Sequence, residues 1–529
     1  MMVTLSIVGL CLIFNNVLCY NYLVSLPVYG YSHLKFMANV ADVLADGGHN
    51  VTALLTHHAP LKNIENIVKN KNIEIINYYP DNFEDLKKGK EDTFEVIWDS
   101  VLLNNLVLGM FAFPKHMLSK FENLGTQLLQ DKEFHAKLKA RNFDALVAET
   151  FEISPFYLGH LINIPTTISV FSASKLSTQK LFGQPDNIGY VPGDFSQVGR
   201  EAGFLDRLND IYYSVFQGKT YMGLLDVQHL AYSKAIGTGD VPTWQDLITK
   251  STYYFFNNNP YLDFAKPNIG SIVNIGGFSI NKDKQVGDLP QEYENILKER
   301  PSTVLISFGS VVRSFQMPKT YKESFLKLFK SLPDVTFIWK YEKDDEMMHK
   351  IPNNVYLKKW VPQPALLADK RVKLFITHGG LGSTMEVAYT GKPALMIPLF
   401  GDQPNNAIML SRHNGARAYN KNDVPHSPKL IEVVTEMIEN PKYDANAKQL
   451  QEILHNQPVD MKENFLKHME FSVKFPKLET LVPENQQNGF IAFYYIDVFV
   501  FLGSIFVIFL YLVYKLICRL VFTRKSKTE

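Results

Sequence analysis

Residues 374–388 read LFITHGGLGSTMEVA: an apolar run ending on His378, glycines at 379, 380 and 382, then a helical pattern carrying Glu386. A strand, a glycine turn and a helix start leave backbone N–H groups unpaired where an anion can meet them. Two other strand ends extend this phosphate chemistry: Gly309-Ser310 follows ISF, and Gly401-Asp402-Gln403 follows MIPLF. Small residues at 309 and 310 let a backbone approach phosphate oxygens, while His378 and the helix beginning near Gly382-Ser383 complete an anion cradle. Glu386, in the following helix, is placed to accept hydrogen bonds from vicinal hydroxyls. Trp360-Val361-Pro362-Gln363 follows another strand and offers a flat ring for a base and an amide for its edge. These parts describe a nucleotide site.

The elements that must position them recur along the chain. In the second half, TVLISFGS, VTFIWKY, NVYLKKW, VKLFITH and PALMIPLF are short apolar runs separated by helical patterns. The first half opens with YNYLVSLPV, a helical spacing of Leu34, Met37, Val40, Ala41 and Leu44, a helix-ending Gly47-Gly48, and NVTALL. NIEIINYY, FDALVAE and TTISVF continue the series. The expected fold is α/β, with two successive doubly wound halves whose ligands lie outside the carboxyl ends of the strands. The opening strand lacks G-x-G-x-x-G, since Pro27-Val28-Tyr29-Gly30-Tyr31 stands there, which argues against a nicotinamide dehydrogenase.

Bulk composition narrows the partners. The 529 residues hold 54 Lys+Arg against 53 Asp+Glu, so no overall field favours nucleic acid. Of the three cysteines, Cys11 and Cys19 fall in the N-terminal leader and Cys518 beyond an apolar run, leaving no cysteine metal site or nucleophile between them. No D-x-D metal motif occurs, and Asp344-Asp345-Glu346 reads as a solvated loop. One glycosylation sequon, Asn50-Val51-Thr52, falls against strand structure.

Residues 1–19 carry an apolar stretch and a Val17-x-Cys19 pair and read as a secretory signal, although no Lys or Arg precedes the stretch. Val498 to Tyr514 is uncharged, and Lys515, Arg519, Arg524, Lys525 and Lys527 follow. This gives one transmembrane helix over 495–517 and a basic cytosolic tail over 518–529, by the positive-inside rule. The ending KSKTE places lysines third and fifth from the carboxyl terminus, like a dilysine retrieval signal. The expectation is a single-pass type I protein of the endoplasmic reticulum membrane with its large domains luminal, and neighbouring spans leave a homo-oligomer open.

W-V-P-Q, F-I-T-H-G-G-x-x-S-x-x-E and P-x-x-G-D-Q together resemble the signature of the UDP-glycosyltransferases, the family that contains the UDP-glucuronosyltransferases. The likeness extends to the N-terminal SH-x-x-F-M and G-H-N-V-T stretches and to the membrane tail. It implies a GT-B fold, two Rossmann-like domains facing across a cleft: residues 20–265 for the acceptor and 266–480 for the UDP-sugar. The segment from about 180 to 250, with weaker periodicity, would cover the acceptor side.

Carried over by position, Trp360 stacks on uracil, Gln363 contacts uridine and Glu386 holds the ribose. Ser310, His378, Gly380 and Ser383 surround the diphosphate, and Asp402 and Gln403 grip the sugar. Many relatives carry asparagine where this chain has Gly382. His33, at the end of the opening strand, becomes the general base, and its usual aspartate partner is replaced by Glu149, with Glu152 as a second candidate. The reaction implied is an inverting, metal-free transfer of a hexose or glucuronic acid from UDP-glucose or UDP-glucuronic acid to a hydroxyl of a small lipophilic acceptor, with no cofactor. The competing reading is a catalytically silent UDP-sugar-binding membrane protein.

Overall fold

The computed structural model describes residues 19–61, 64–88, 98, 106–174, 179–184, 189, 191–193, 202–237, 241–280, 289–484 and 489–525. The expected leader, apart from Cys19, and the last four residues of the tail lie outside them.

Among the described residues, thirteen strands form two sheets, and all of their pairings are parallel. The first sheet has the order β3-β2-β1-β4-β5-β6-β7, from β1 (Asn21–Pro27), β2 (Asn50–Thr56), β3 (Glu74–Tyr78), β4 (Ala145–Glu149), β5 (Thr166–Phe171), β6 (Tyr254–Phe256) and β7 (Ile272–Asn274). The second has the order β10-β9-β8-β11-β12-β13, from β8 (Ser302–Ser307), β9 (Val335–Lys340), β10 (Val355–Lys358), β11 (Val372–Thr377), β12 (Ala394–Met396) and β13 (Ala416–Ala418). Strands covered by helices on both faces bury nearly every side chain, so VTFIWK and TTISVF read as continuous rather than alternating runs. Three edge strands are less covered: β3 is largely exposed, and β10 and β13 are only partly buried.

Each sheet reverses its winding once, between β1 and β4 and between β8 and β11. Such switch points open a crevice at the carboxyl ends of the strands. The candidate residues sit there: His33 follows β1, Glu149 ends β4, Gly309-Ser310 follow β8 and His378 follows β11.

The division of the chain is less clean than a cut at 265/266. β7, beyond that point, completes the first sheet, and the helix Met461–Lys474 returns to the N-terminal domain, where Met461, Phe465 and Met469 share a core with β1 and β2. Leu466 of this helix lies against Gly47. The two halves also meet at a buried pivot. The Tyr389 hydroxyl donates to Gly276 O at 3.2 Å and accepts from Asn259 Nδ2 at 3.1 Å. Gly277, at φ +91, has no room for a side chain there, because a Cβ would lie 2.0 Å from the Tyr389 oxygen.

The 180–250 segment holds a 33-residue helix, Phe204–Ile236, that the weak periodicity did not announce. β13, three residues long, also escaped the sequence pattern. At the other end the helix Ile496–Lys525 is exposed along its apolar length, and Ile496–Leu520 is long and apolar enough to cross a membrane.

Candidate active site

His33 lies in the first turn of the helix Tyr31–Asp46, just past the strand end where the sequence placed it. Its Nδ1 is 2.8 and 2.9 Å from the two oxygens of Glu149, the last residue of β4. That carboxylate is clamped further: the Tyr29 hydroxyl donates to Oε2 at 3.0 Å, and the Ser172 hydroxyl donates to Oε1. Ser172 also lies 3.1 Å from His33 Nδ1. The His33 side chain keeps 25% of its surface exposed while Glu149 keeps 2%, so the imidazole is reachable and the carboxylate is not.

The charges follow from this packing. Burial pushes the His33 imidazole down, but the charge and hydrogen bond of Glu149, with Asp402 across the cleft, outweigh it and hold the pKa above the ordinary value. Burial likewise pushes Glu149 up, and the His33 charge with hydrogen bonds from His33, Ser172 and Tyr29 brings it below the usual carboxylate range. Glu152 is engaged elsewhere. Its carboxyl accepts from the Ser154 N–H at 2.8 Å and the Tyr232 hydroxyl at 2.9 Å, and lies 3.9 Å from His58. Burial pushes it up to about 7. Of the two glutamates, Glu149 is the one that pairs with His33.

Across the cleft, the helix Leu381–Thr390 starts from Gly380 with no side chain capping its first amides. Gly309, at φ +84, and Gly380 do something the sequence did not suggest. A Cβ on Gly309 would lie 2.6 Å from the His378 ring, and one on Gly380 would lie 2.8 Å from its Nε2. The two glycines therefore form the slot that seats the imidazole. Burial, helped by the charge of Lys340, pushes His378 down to about 3, so it is a neutral donor or acceptor at physiological pH.

Gln363 ties the adjoining wall together, donating to Ser383 Oγ at 3.0 Å and to Glu386 Oε2 at 2.7 Å. The other Glu386 oxygen accepts from Lys35 Nζ of the N-terminal domain at 3.3 Å. Trp360 is half exposed, with the Tyr31 ring edge-on at 5.7 Å. Ser310 is exposed in the turn after β8, and around Gly382 there is open space.

Gln403 stands beside Asp402 beyond the end of β12. It is buried, and its side-chain carbonyl accepts from the Leu399 and Phe400 N–H groups at 2.9 and 3.1 Å, so it shapes the loop carrying Gly401 and Asp402. Asp402 precedes the helix Gln403–Ser411 and accepts from Asn406 Nδ2 at 2.8 Å. Asn406 also donates to Gly379 O at 3.0 Å, locking two turns of the rim together.

Lys340, the last residue of β9, went unnoticed in the sequence. Its ammonium donates to Gly309 O and sits 5.1 Å over the Trp360 ring. Burial lowers its pKa, and Glu342, 3.7 Å away, opposes this. A lysine closing a strand at the rim was the available signal. Tyr29 and Ser172 carried a similar one, each standing just past the end of a strand. Among the described residues, no group of three or more His, Cys, Asp and Glu is arranged to hold a metal ion.

The family model for UDP-glucoronosyl and UDP-glucosyl transferase matches residues 22–529. The chain belongs to this family. As such it is a UDP-glycosyltransferase, an enzyme that binds a UDP-sugar and transfers the sugar. It is similar to UDP-glucuronosyltransferase 3A1 of Bos taurus, 27% identical over 91% of this chain and 90% of that one. UDP-glucuronosyltransferase 3A2 of Homo sapiens matches at 27% over the same shares. Among solved structures, the transferase is similar to a UDP-glucosyltransferase from Polygonum tinctorium (TM-score 0.58, 16% identity, 86% of this chain and 98% of that one). Phytolacca americana UGT2, complexed with UDP-2fluoro-glucose and pterostilbene, gives a TM-score of 0.55 at 16% identity over 86% and 100%. These neighbours establish the GT-B fold of two facing Rossmann-like domains.

Proposed function

We propose that this transferase moves glucose or glucuronic acid from its UDP-sugar to a hydroxyl of a small lipophilic acceptor, by a single inverting displacement. The observation that carries the reading is the His33–Glu149 pair at the switch point of the first sheet, facing the anion cradle of the second. With Nδ1–H donated to Glu149, the imidazole presents Nε2 as the base. The acceptor proton passes to His33 Nε2, the acceptor oxygen bonds to the anomeric carbon, and the bond from that carbon to the diphosphate oxygen breaks on the opposite face. Glu149 stabilises the imidazolium, as a buried triad carboxylate does. The unpaired amides at the start of Leu381–Thr390, the neutral His378 and the Lys340 ammonium receive the charge that develops on UDP.

Roles for the remaining residues follow. Trp360 stacks on uracil, Gln363 and Glu386 hold the uridine and its ribose, and Ser310, Gly380 and Ser383 line the diphosphate. Asp402 binds the sugar. This charge supply supports metal-free chemistry, so turnover in EDTA should match turnover without it. The silent-binding alternative rests on glutamate replacing aspartate and on Gly382 standing where many relatives have asparagine; the bond from Glu149 to His33 answers the first ground and favours turnover.

The leader, the apolar helix and its basic flank support a single-pass type I anchor in the endoplasmic reticulum with the catalytic domains luminal. Protease added to sealed microsomes should spare residues 20–480, and their digestion would reverse the orientation.

The deciding experiment offers UDP-glucose and UDP-glucuronic acid in parallel to the solubilised full-length protein with a panel of phenols, following UDP release, product mass and anomeric configuration. A β-glycoside from either α-linked donor supports the reading and names the sugar. An α-glycoside overturns the inverting step. UDP binding without product from any acceptor overturns transfer to phenolic hydroxyls.

A further inference from the structure

Trp98 belongs to one half of the chain and is buried in the other. In sequence it stands between the helices Phe83–Lys88 and Leu106–Gln130. Both pack in the N-terminal half: Phe83 lies against the Tyr79 and His57 rings, and Leu124 shares a core with Leu146 of β4. Yet the Trp98 side chain, 2% exposed, sits in the core of the C-terminal half with Phe308, Val312, Met317 and Tyr321. Its ring meets the Phe308 ring edge-on at 5.2 Å and the Tyr321 ring at 6.2 Å. Its Nε1–H donates to Arg313 O at 3.1 Å. A buried indole needs apolar neighbours for its body and an acceptor for its N–H, and here the C-terminal half supplies both.

Trp98 touches the turn after β8 at both ends. Phe308 is the first residue beyond that strand, and Arg313 is the last before the short helical turn Ser314–Gln316, so Gly309 and Ser310 lie between the two contacts. The C-terminal half supports the same stretch at other points. Lys340 donates to Gly309 O, and Ser314 donates its N–H to Glu342 Oε2 at 2.8 Å and its hydroxyl to Lys340 O at 2.7 Å. The Arg313 carbonyl, between these anchors, receives the indole N–H. The bonds of Gln363 and Asn406 to their neighbours stay within the C-terminal half. The turn after β8 is the exception on the donor wall, because a buried residue of the other half completes it.

We propose that Trp98 is a positioning residue for the donor diphosphate: a side chain of the N-terminal half that braces Phe308–Arg313 and so sets Gly309 and Ser310 against the phosphates. This rests on the reading of Gly309 and Ser310 as lining the diphosphate. Buried as it is, Trp98 acts through the turn and not on the donor. Gly309 also walls the slot that seats His378, so a slack turn loosens both. The diphosphate grip is then complete only when the two halves are assembled.

Calorimetric titration of the solubilised full-length protein with UDP and with uridine tests this. Trp98→Ala should weaken UDP by about fivefold and leave uridine, which lacks the diphosphate, within about twofold. Trp98→Leu, which fills part of the pocket with neither ring nor N–H, is read in its place should Trp98→Ala not fold. Trp98→Phe keeps a ring against Phe308 and should recover part of the loss. UDP and uridine weakened equally would make Trp98 a general packing residue and overturn the inference, as would UDP affinity left unchanged or no recovery in Trp98→Phe. A wild type that binds uridine as tightly as UDP overturns the diphosphate reading first, and the inference with it.

Discussion

In the C-terminal half, Gln363 reaches Ser383 and Glu386 across 20 and 23 residues of chain, and Asn406 reaches Asp402 across four. In the N-terminal half, His33 meets Glu149 and Ser172 across 116 and 139 residues, and Tyr29 meets Glu149 across 120. The donor wall is thus built from neighbouring strand–turn–helix units that carry their own partners. The base is assembled only when the whole first sheet has closed. The first arrangement tolerates change in the acceptor domain, while the second concentrates chemistry in a few long-range polar bonds.

The largest expected effect breaks the long-range side. Glu149→Gln keeps the shape of the side chain and removes the charge, and should lower kcat/KM by about 10²–10⁴-fold with UDP affinity nearly unchanged. The pH profile separates electrostatics from packing. Glu149 holds the His33 pKa up, so removing its charge lowers that pKa, and the acid limb of activity, where His33 becomes protonated, moves to lower pH. A limb that stays in place would show that Glu149 does not act through the imidazole. Glu149→Asp restores the charge one methylene shorter and should recover part of the rate.

On the donor wall, the sharpest break is Gly309→Ala, which acts where the ends of β8 and β11 meet. The new Cβ meets the His378 ring at a backbone φ of +84, so both the slot and the turn are strained. UDP affinity should fall by about 5- to 160-fold, given a local cost of about 1–3 kcal/mol. Gly382→Ala, in open space within the same helix start, should leave it within about twofold. Calorimetric titration with UDP compares them, and equal losses would remove the slot argument.

This contrast also explains what the sequence disclosed. The donor wall was legible because strand, glycine turn and helix lie within fifteen residues and their spacing is itself the geometry, as in LFITHGGLGSTMEVA. Even there the glycines had a second task, seating His378, that only packing reveals. Gln403 stood in the right motif, yet its side-chain carbonyl turned to the backbone of Leu399 and Phe400. The Glu149 partnership had to be suggested by resemblance, and the choice against Glu152 required the sheet, since both stand near one strand end. Tyr29 and Ser172 were ordinary residues until β1 and β5 placed them at one rim, and Lys340 until β9 placed it at the facing one. The helix Phe204–Ile236 escaped notice because apolar side chains stand on more than one of its faces, Leu225 and Tyr232 buried and Phe204, Leu208 and Leu230 exposed, which blurs a 3.6-residue period.

Lys340 sits where the two modes of construction meet, joining Gly309 O to the face of Trp360. Lys340→Met should weaken UDP by about tenfold, the scale of one hydrogen bond to a charged group. Uridine, which lacks the diphosphate, should lose less. Equal losses for both ligands would mean that Lys340 only holds the Trp360 ring.

The smallest effect is expected where the halves touch. Lys35 occupies one oxygen of Glu386, the carboxylate assigned to the ribose, and the pair is partly exposed at 43% and 19%. An ion pair this open is screened by salt and weak, so it should hold the empty domains together without blocking the donor. Uridine isolates the contribution, because it brings the ribose hydroxyls and no charge of its own. In the wild type, uridine affinity should rise as salt screens Lys35 from Glu386. In Lys35→Met, it should begin about twofold tighter and lose that salt dependence. Weaker uridine binding by Lys35→Met would show instead that Lys35 helps to hold the ribose, making the acceptor domain a direct part of the donor site.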